Sequence, residues 1–301
     1  MKKWTCCILA VIMLVVFSYP ENKTITLDAD KTSVSVGENP IFIAIKGITE
    51  FFLGIKEESG REIVVDLSSV PSKEILVEIE KIEPLTKPDA ENKKDEDIKK
   101  MPTVLIYHTH TDEAYLKGDK NYVETSVGRS LDQNYNVVAV GAYLKQALEE
   151  KGFAVIHDKT DNVSESFSNA YQKSYDTIKQ YIGTVDIYID LHRDAYYGQD
   201  RDVAFSGEVY SHICFVVANG QNYSQKPNWK ENYALALSLT EQVNSIVPDM
   251  ANDIIFKSAR YNQHVSTSSL LIEMGHEEND IEAVKRSAKI VAQAFAEFYS
   301  A

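Results

Sequence analysis

From Pro102 onward, short apolar runs of strand length alternate with longer stretches whose apolar residues recur at helical spacing, and this alternation limits the possible folds more than any other feature of the chain. The runs Thr103–Tyr107, Phe153–Ile156, Val185–Leu191, Val209–Val217, Ile254–Phe256 and Leu270–Ile272 read as strands. Between them, Val137, Val140, Gly141, Leu144 and Leu148 mark a helix that Lys151-Gly152 ends, and a polar helix is expected within 165–181. Leu235, Leu239, Val243 and Ile246 mark a helix stopped by Pro248, and Val284, Ala288, Val291, Phe295 and Phe298 give the last helix its apolar stripe. Strands alternating with helices imply a mostly parallel sheet with helices on both faces, so residues 102–301 are expected to form one α/β domain.

The chain before Pro102 has a different texture. Residues 21–81 read as a small β-rich region: Thr24–Leu27 and Ser33–Val36 alternate polar with apolar residues, and Pro40–Ile45 and Glu74–Ile79 are strand or helix candidates. Residues 82–101, with Pro84, Pro88 and the charge run Asn92–Asp97, read as a solvated linker. At the start, Lys2 and Lys3 precede an apolar run from Trp4 to Phe17. A cleaved signal peptide and an uncleaved anchor compete for residues 1–20; Val16-Phe17-Ser18 is a poor cleavage site, which favours a signal anchor. Either reading holds the N-terminus in the cytoplasm and places the remainder outside the membrane. Cys6 and Cys7 lie within the run, so Cys214 is the one cysteine left outside it and is expected to be a buried small hydrophobe with no intramolecular disulfide. The formal net charge of −14 argues against nucleic acid as a partner.

Three polar clusters follow three of the expected strands: His108-Thr109-His110-Thr111-Asp112-Glu113, His192-Arg193-Asp194, and Glu273. Ligands of open α/β sheets bind beyond the carboxyl ends of the strands, so these clusters are expected to converge. His110-x-x-Glu113 has metal-ligand spacing, and His192 would complete a set of two imidazoles and one carboxylate for a catalytic Zn2+, with a fourth position for water. His108 is the alternative ligand, because side chains two apart on a strand share a face. The ion brings the pKa of its water towards about 7, and a carboxylate outside the ligand set must then move the proton; Glu273 is expected in that role. Asp190, two residues before His192, is placed to hold the second imidazole nitrogen. His157, His212, His264 and His276 are expected to be structural.

The segment Leu105-Ile106-Tyr107-His108-Thr109-His110-Thr111-Asp112-Glu113-Ala114-Tyr115 resembles the "YHTHTxEAY" motif of the stage II sporulation protein P family. Asn136-Val137-Val138-Ala139-Val140-Gly141 is similar to its "NVVxVG", and Ile189-Asp190-Leu191-His192-Arg193-Asp194-Ala195 to its "DxHRDA". Asn228-Trp229-Lys230-Glu231-Asn232 resembles "NWxEN", and Tyr261-Asn262-Gln263 with Leu271-Ile272-Glu273-Met274-Gly275 resembles "YNQ…LLIExG". The resemblance implies a fold of the N-acetylmuramoyl-L-alanine amidase (phosphorylase/hydrolase-like) type, zinc, and cleavage of the MurNAc–L-alanine amide and of peptide cross-links in peptidoglycan. It also implies a membrane anchor and work with stage II sporulation proteins D and M during engulfment. Within the matching motifs, Arg193 and Asn262 are expected beside the metal or the substrate. The chain departs from the pattern at His276-Glu277-Glu278-Asn279-Asp280, where a second Gly and an Asn-Thr are expected, and at His264, where an Asp is expected. Two other readings compete: a zinc carboxypeptidase-like peptidase, with Arg193 as carboxylate anchor, and a wall-binding protein without catalysis.

Overall fold

The computed structural model describes residues 82–85, 100–118, 120–164, 167–195, 202–218 and 225–300, and the backbone of four short strands between residues 25 and 65. The expected anchor at 1–20, the candidate at Glu74–Ile79 and the charged part of the linker lie outside these residues. The chain divides into two compact units near Leu76. The first contains an antiparallel four-stranded sheet of β1 (Ile25–Asp28), β2 (Ser33–Val36), β3 (Asn39–Ile41) and β4 (Ile63–Val65), in the order β3-β2-β1-β4. Pro40, which has no N–H to give a ladder, sits in the edge strand β3.

The second unit is built on a six-stranded sheet. Its strands are β5 (Thr103–Tyr107), β6 (Ala154–His157), β7 (Ile187–Asp194), β10 (Ile213–Ala218), β11 (Ile255–Lys257) and β12 (Ser269–His276), ordered β11-β10-β12-β7-β5-β6. Strands β12, β7, β5 and β6 are parallel, β10 is antiparallel to β12, and β11 is parallel to β10, so the expectation of a mostly parallel sheet holds. The single strand expected over Val209–Val217 is two strands in different sheets. β9 (Glu208–Ser211) forms a hairpin with β8 (Asp202–Phe205); the chain breaks at His212, whose carbonyl accepts the Gly275 N–H at 2.9 Å, and β10 then enters the main sheet.

Helices α1 (Val137–Glu149), α2 (Ala170–Ile178), α3 (Trp229–Ile246) and α4 (Ile281–Tyr299) connect or follow these strands. The side chain of Asn136 caps α1 by accepting the Val138 N–H, and that of Asp280 caps α4 by accepting the Glu282 N–H. The polar helix expected within 165–181 is α2 with a 3-10 turn at each end, Phe167–Asn169 and Lys179–Tyr181. Among the described residues no helix is long and apolar enough to cross a membrane.

The two faces of the sheet are covered unequally. Val104 and Ile106 of β5, Ile187, Ile189 and Leu191 of β7, and Leu270, Ile272 and Met274 of β12 bury one face against α1, α3 and α4. Leu105, Tyr107 and Tyr188 on the other face meet Ile178 of α2 in a much smaller cluster. Side chains of alternate residues point to opposite faces, so Asp190 and His192 of β7 and Glu273 of β12 belong to this thinly covered second face.

His108 follows the parity of Val104 and Ile106 and enters the thick side beneath α1. There its Nδ1 lies 2.9 Å from the Leu191 carbonyl and its Nε2 lies 2.8 Å from His157 Nε2. The carbonyl fixes the proton on His108 Nδ1, so His157 Nε2 is the donor of the imidazole pair. Burial holds both rings well below the usual histidine pKa, at about 4 for His108 and about 3 for His157. Helix α1 approaches them closely enough that a Cβ on Gly141 would stand 2.7 Å from both Nε2 atoms. A Gly141→Ala variant is expected to lose about 1–3 kcal/mol of stability, the usual scale of overpacking, despite alanine's better helix propensity. A denaturant titration beside wild type checks this; an equal or higher midpoint would show that the pair yields to a methyl group.

Candidate metal centre

Strand pairing sets the frame of the site. His192 of β7 is the register partner of Glu273 of β12, which is itself the partner of Cys214 of β10. A row of Cys214, Glu273 and His192 therefore crosses three adjacent strands on the thinly covered face. The loop after β5 supplies the rest. A turn closed by the Glu113 N–H and the His110 carbonyl, 3.4 Å apart, brings His110 and Glu113 to the same side. The Glu113 carbonyl accepts the Val137 N–H at 2.9 Å, which fixes that turn to the start of α1.

In this frame His110, Glu113 and His192 each offer a ligand atom, all within 4.8 Å of one another. His110 Nδ1 is 3.1 Å from Glu113 Oε1, and His192 Nδ1 is 3.3 Å from Glu113 Oε2. Ligands at about 2.1 Å from a tetrahedral ion stand about 3.4 Å from each other, so the donor types and spacing fit a catalytic zinc set with one open position. Asp190 Oδ1 stands 3.0 Å from His192 Nε2, the nitrogen turned away from Glu113. It lies off the N–H direction, so the contact is electrostatic rather than a directed hydrogen bond. Asp190 also accepts the Thr109 N–H at 2.8 Å and the Thr109 hydroxyl at 2.6 Å.

The charges of the cluster oppose burial. Burial disfavours an imidazolium at His192, but Asp190 and Glu113 outweigh it and hold the ring's pKa well above its ordinary value. Burial likewise works to raise the Glu113 carboxyl, and His192 and His110 overcome it and hold the group well below the carboxylate range. The cluster thus favours a positive charge between its carboxylates, and a proton on His192 and a metal ion compete for the same nitrogen.

Glu273 differs from these groups. Its Oε2 is buried and has no hydrogen-bond partner among the described residues. Burial lifts its carboxyl to about 8, with Glu113, Asp194 and Asp190 pushing the same way and His192 opposing. The sequence suggests that the chain turns away sharply at Gly275; instead β12 runs on to His276. Gly275, at φ 68°, lies in an irregularity of the pairing with β7 between Glu273 and His276, and a Cβ there would come within 2.8 Å of Asn279 Oδ1.

Three other residues named from the sequence take positions of their own. His108 is on the far side of the sheet and outside the cluster. Arg193 is half-buried, and its side chain makes four hydrogen bonds: to the carbonyls of Ala114, Asp194 and Gly128, and to Glu277 Oε2. It braces the loop that carries Glu113. Asn262 is buried and donates to the Tyr171 carbonyl at 3.0 Å and to Ser174 Oγ at 2.9 Å, which joins its turn to α2. The four histidines expected to be structural include His212, whose Nδ1 is 3.0 Å from Asn252 Oδ1, and His276, whose Nδ1 accepts the Glu278 N–H at 3.1 Å.

Sequence reasoning missed an aromatic wall. Phe167 stacks on His110 with ring centres 4.6 Å apart, Tyr171 stands edge-on to His110 at 5.6 Å, and the Arg129 guanidinium lies 4.6 Å from the Phe167 ring. Arg129 is held by Asp112 at 2.5 Å. These residues lie in segments read only as loop or polar helix, and nothing in their spacing marks them. Thr109 was legible, since it stands between two histidines in a chemistry-bearing motif.

The comparisons with known proteins bear on this arrangement. The model of the family "Stage II sporulation protein P (SpoIIP)" matches residues 30–296. Stage II sporulation protein P of Bacillus subtilis (strain 168) is 29% identical over 210 residues, which are 65% of this chain and 51% of that protein; the chain thus spans about half the length of this curated relative. Among solved structures, the N-acetylmuramoyl-L-alanine amidase AmiC2 of Nostoc punctiforme aligns with a TM-score of 0.42 at 12% identity, covering 65% of this chain and 96% of that one. The CwlD amidase from Clostridioides difficile, in complex with the GerS lipoprotein, aligns with a TM-score of 0.41 at 18% identity, covering 65% and 94%. These scores are too low to assign an activity. The family model spans most of the chain, including His110, Glu113, His192 and Glu273, and the chain belongs to the stage II sporulation protein P family.

Proposed function

We propose that this chain is a zinc-dependent peptidoglycan hydrolase that cleaves the amide between MurNAc and L-alanine, with peptide cross-links as a second target. One observation carries the reading: His110, Glu113 and His192 converge in metal-ligand geometry beside Glu273, whose buried Oε2 has no hydrogen-bond partner among the described residues. In this reading the anchor at 1–20 tethers the catalytic unit outside the cell membrane. Its work is septal wall degradation during sporulation, with stage II sporulation proteins D and M as partners by family resemblance.

Zinc bound by His110, Glu113 and His192 would polarise the scissile carbonyl and make a water acidic enough to attack at neutral pH. Asp190 and Thr109 orient His192, so that its Nδ1 is directed to the ligand set. The backbone N–H of Arg193, 3.2 Å from Glu113 Oε2, orients the carboxylate in the same way. Glu273 takes the proton of the attacking water and delivers it to the departing amide nitrogen, a role for which a carboxyl of raised pKa is suited.

The peptidase reading needs a cation to receive a substrate's terminal carboxylate. Arg193 is committed to four hydrogen bonds and Arg129 is paired with Asp112, so neither arginine at the site offers that anchor. Digestion of purified sacculi, with mass spectrometry of the new ends, tests the assignment. New L-alanine amino termini support the amidase; release of carboxyl-terminal residues alone would move it to the peptidases. Bound zinc with no new ends would leave a wall-binding protein.

His110→Ala removes a half-exposed ligand and is expected to fold while losing stoichiometric zinc; elemental analysis showing full zinc would sink the ligand set. His192→Ala is expected to lose zinc and also to destabilise by about 3–5 kcal/mol, because it strands buried Asp190 and Glu113. Glu273→Gln is expected to keep fold and zinc while product release falls by roughly 10²-fold or more. Near-normal release from a zinc-replete Glu273→Gln protein would place the base elsewhere. For topology, a reporter fused after Ala301 is expected to be active only if it is of the exported type.

A further inference from the structure

The Tyr261-Asn262-Gln263 segment has no part in the mechanism above. Tyr261 and Asn262 both have left-handed backbones, with φ of 49° and 54°. Two such residues in succession, neither a glycine, are strained and persist where the surroundings impose them. Here the surroundings do so from two sides. Asn262 bonds Tyr171 and Ser174 of α2. Gln263 donates to the Val216 carbonyl at 2.7 Å and accepts the Ala218 N–H at 2.9 Å, both in β10, while Asn232 of α3 donates to the Gln263 carbonyl at 2.9 Å.

What this bracket holds in place is the Tyr261 side chain. Its ring packs on Cys214, Val216 and Leu271, the neighbours of Glu273 on the same face of the sheet. It meets Tyr171 edge-on with ring centres 5.3 Å apart, and Tyr171 is stacked 6.5 Å from the His192 ring. The phenol is near enough to Glu273 and His192 for both charges to act on it. Its hydroxyl makes no hydrogen bond among the described residues and is left open to a ligand. A strained backbone that presents an unpartnered donor beside a metal-ligand set is the geometry of a group awaiting substrate.

We propose that Tyr261 is a catalytic residue that touches the substrate, its hydroxyl donating a hydrogen bond to the scissile carbonyl oxygen as that oxygen becomes an oxyanion. The inference rests on the amide-hydrolysis reading given above. The Tyr261 O–H bond stays intact throughout: the water's proton passes through Glu273 to the leaving nitrogen, and the tyrosine contributes only a hydrogen bond. Burial raises the phenol above its ordinary pKa, with Glu273 adding to the effect, so the group remains a donor at neutral pH.

The test uses the full chain, zinc-loaded, as wild type and as Tyr261→Phe, which keeps the ring and removes only the hydroxyl. Turnover of sacculi is expected to fall by roughly 10²-fold in kcat with KM nearly unchanged, the scale of losing one oxyanion donor. Melting temperature and zinc content are expected to match wild type. Calorimetry with a phosphinate dipeptide, whose tetrahedral oxygens copy the transition state, provides a second readout that needs no turnover. Tyr261→Phe is expected to bind it at least about tenfold more weakly, while an uncleaved ground-state amide binds both proteins alike. Equal turnover and equal phosphinate affinity would overturn the proposal, as would a wild type that does not bind the phosphinate. A wild type that binds the phosphinate but opens no wall bond would reject the wall substrate, and the affinity ratio would still decide Tyr261.

Discussion

Asp190 is the constraint on which the site depends. A carboxylate this deeply buried in the middle of a parallel sheet is tolerated only if its charge is answered on every side. Thr109 answers it with two donors and His192 with an imidazolium. The Thr109 contacts fix where the chain leaves β5, which in turn sets where the turn from His110 to Glu113 begins. The His192 contact leaves only one ring nitrogen to face that turn. Glu113 closes the circuit by touching both imidazoles. Exchanging any of these charges for a neutral group strands the others in a region of low dielectric, so the donor set is preorganised as a unit.

Much of this was legible in the sequence, because the main signals are periodic. The parity of β7 puts Asp190 and His192 opposite the apolar Ile187, Ile189 and Leu191, which is enough to place them on a common polar face. The same parity, applied to Val104 and Ile106, sends His108 to the helical side; treating His108 and His110 as equivalent strand positions overlooked that β5 ends at Tyr107. What the pattern could not show is what depends on pairing between distant segments. The alignment of Glu273 with His192 is a matter of register between β12 and β7, and the place of Phe167 over His110 is a matter of loop packing. The split of β9 from β10 was hidden for a similar reason: no glycine or proline separates Val209 and Tyr210 from the apolar β10, and the break at His212 is made by tertiary bonds.

The departures from the family pattern show how the site tolerates change. Within the departing segment His276–Asp280, Glu277 reaches Arg193 and helps to secure the loop carrying Glu113. In the same segment the Asn279 side chain accepts the His276 N–H at 2.7 Å, and the Asn279 backbone carbonyl accepts the Leu116 N–H at 3.1 Å. The loop behind Glu273 is therefore closed by one residue, whose side chain meets β12 and whose backbone carbonyl meets the segment after Glu113. Neither departure touches a ligand atom; both alter only the means by which the ligands are held.

The interleaving of β5, β7 and β12 has a consequence for the life of the chain before it is folded. Each of these strands supplies one part of the centre, and each finds its partner only across a long stretch of intervening sequence. Such non-local pairing forms late, since loop-closure entropy must be overcome before any contact compensates for it. No stretch shorter than the span from His110 to Glu273 holds all four groups. A nascent or partly threaded chain consequently lacks the assembled cluster, and the candidate ligand set is complete only with the finished sheet.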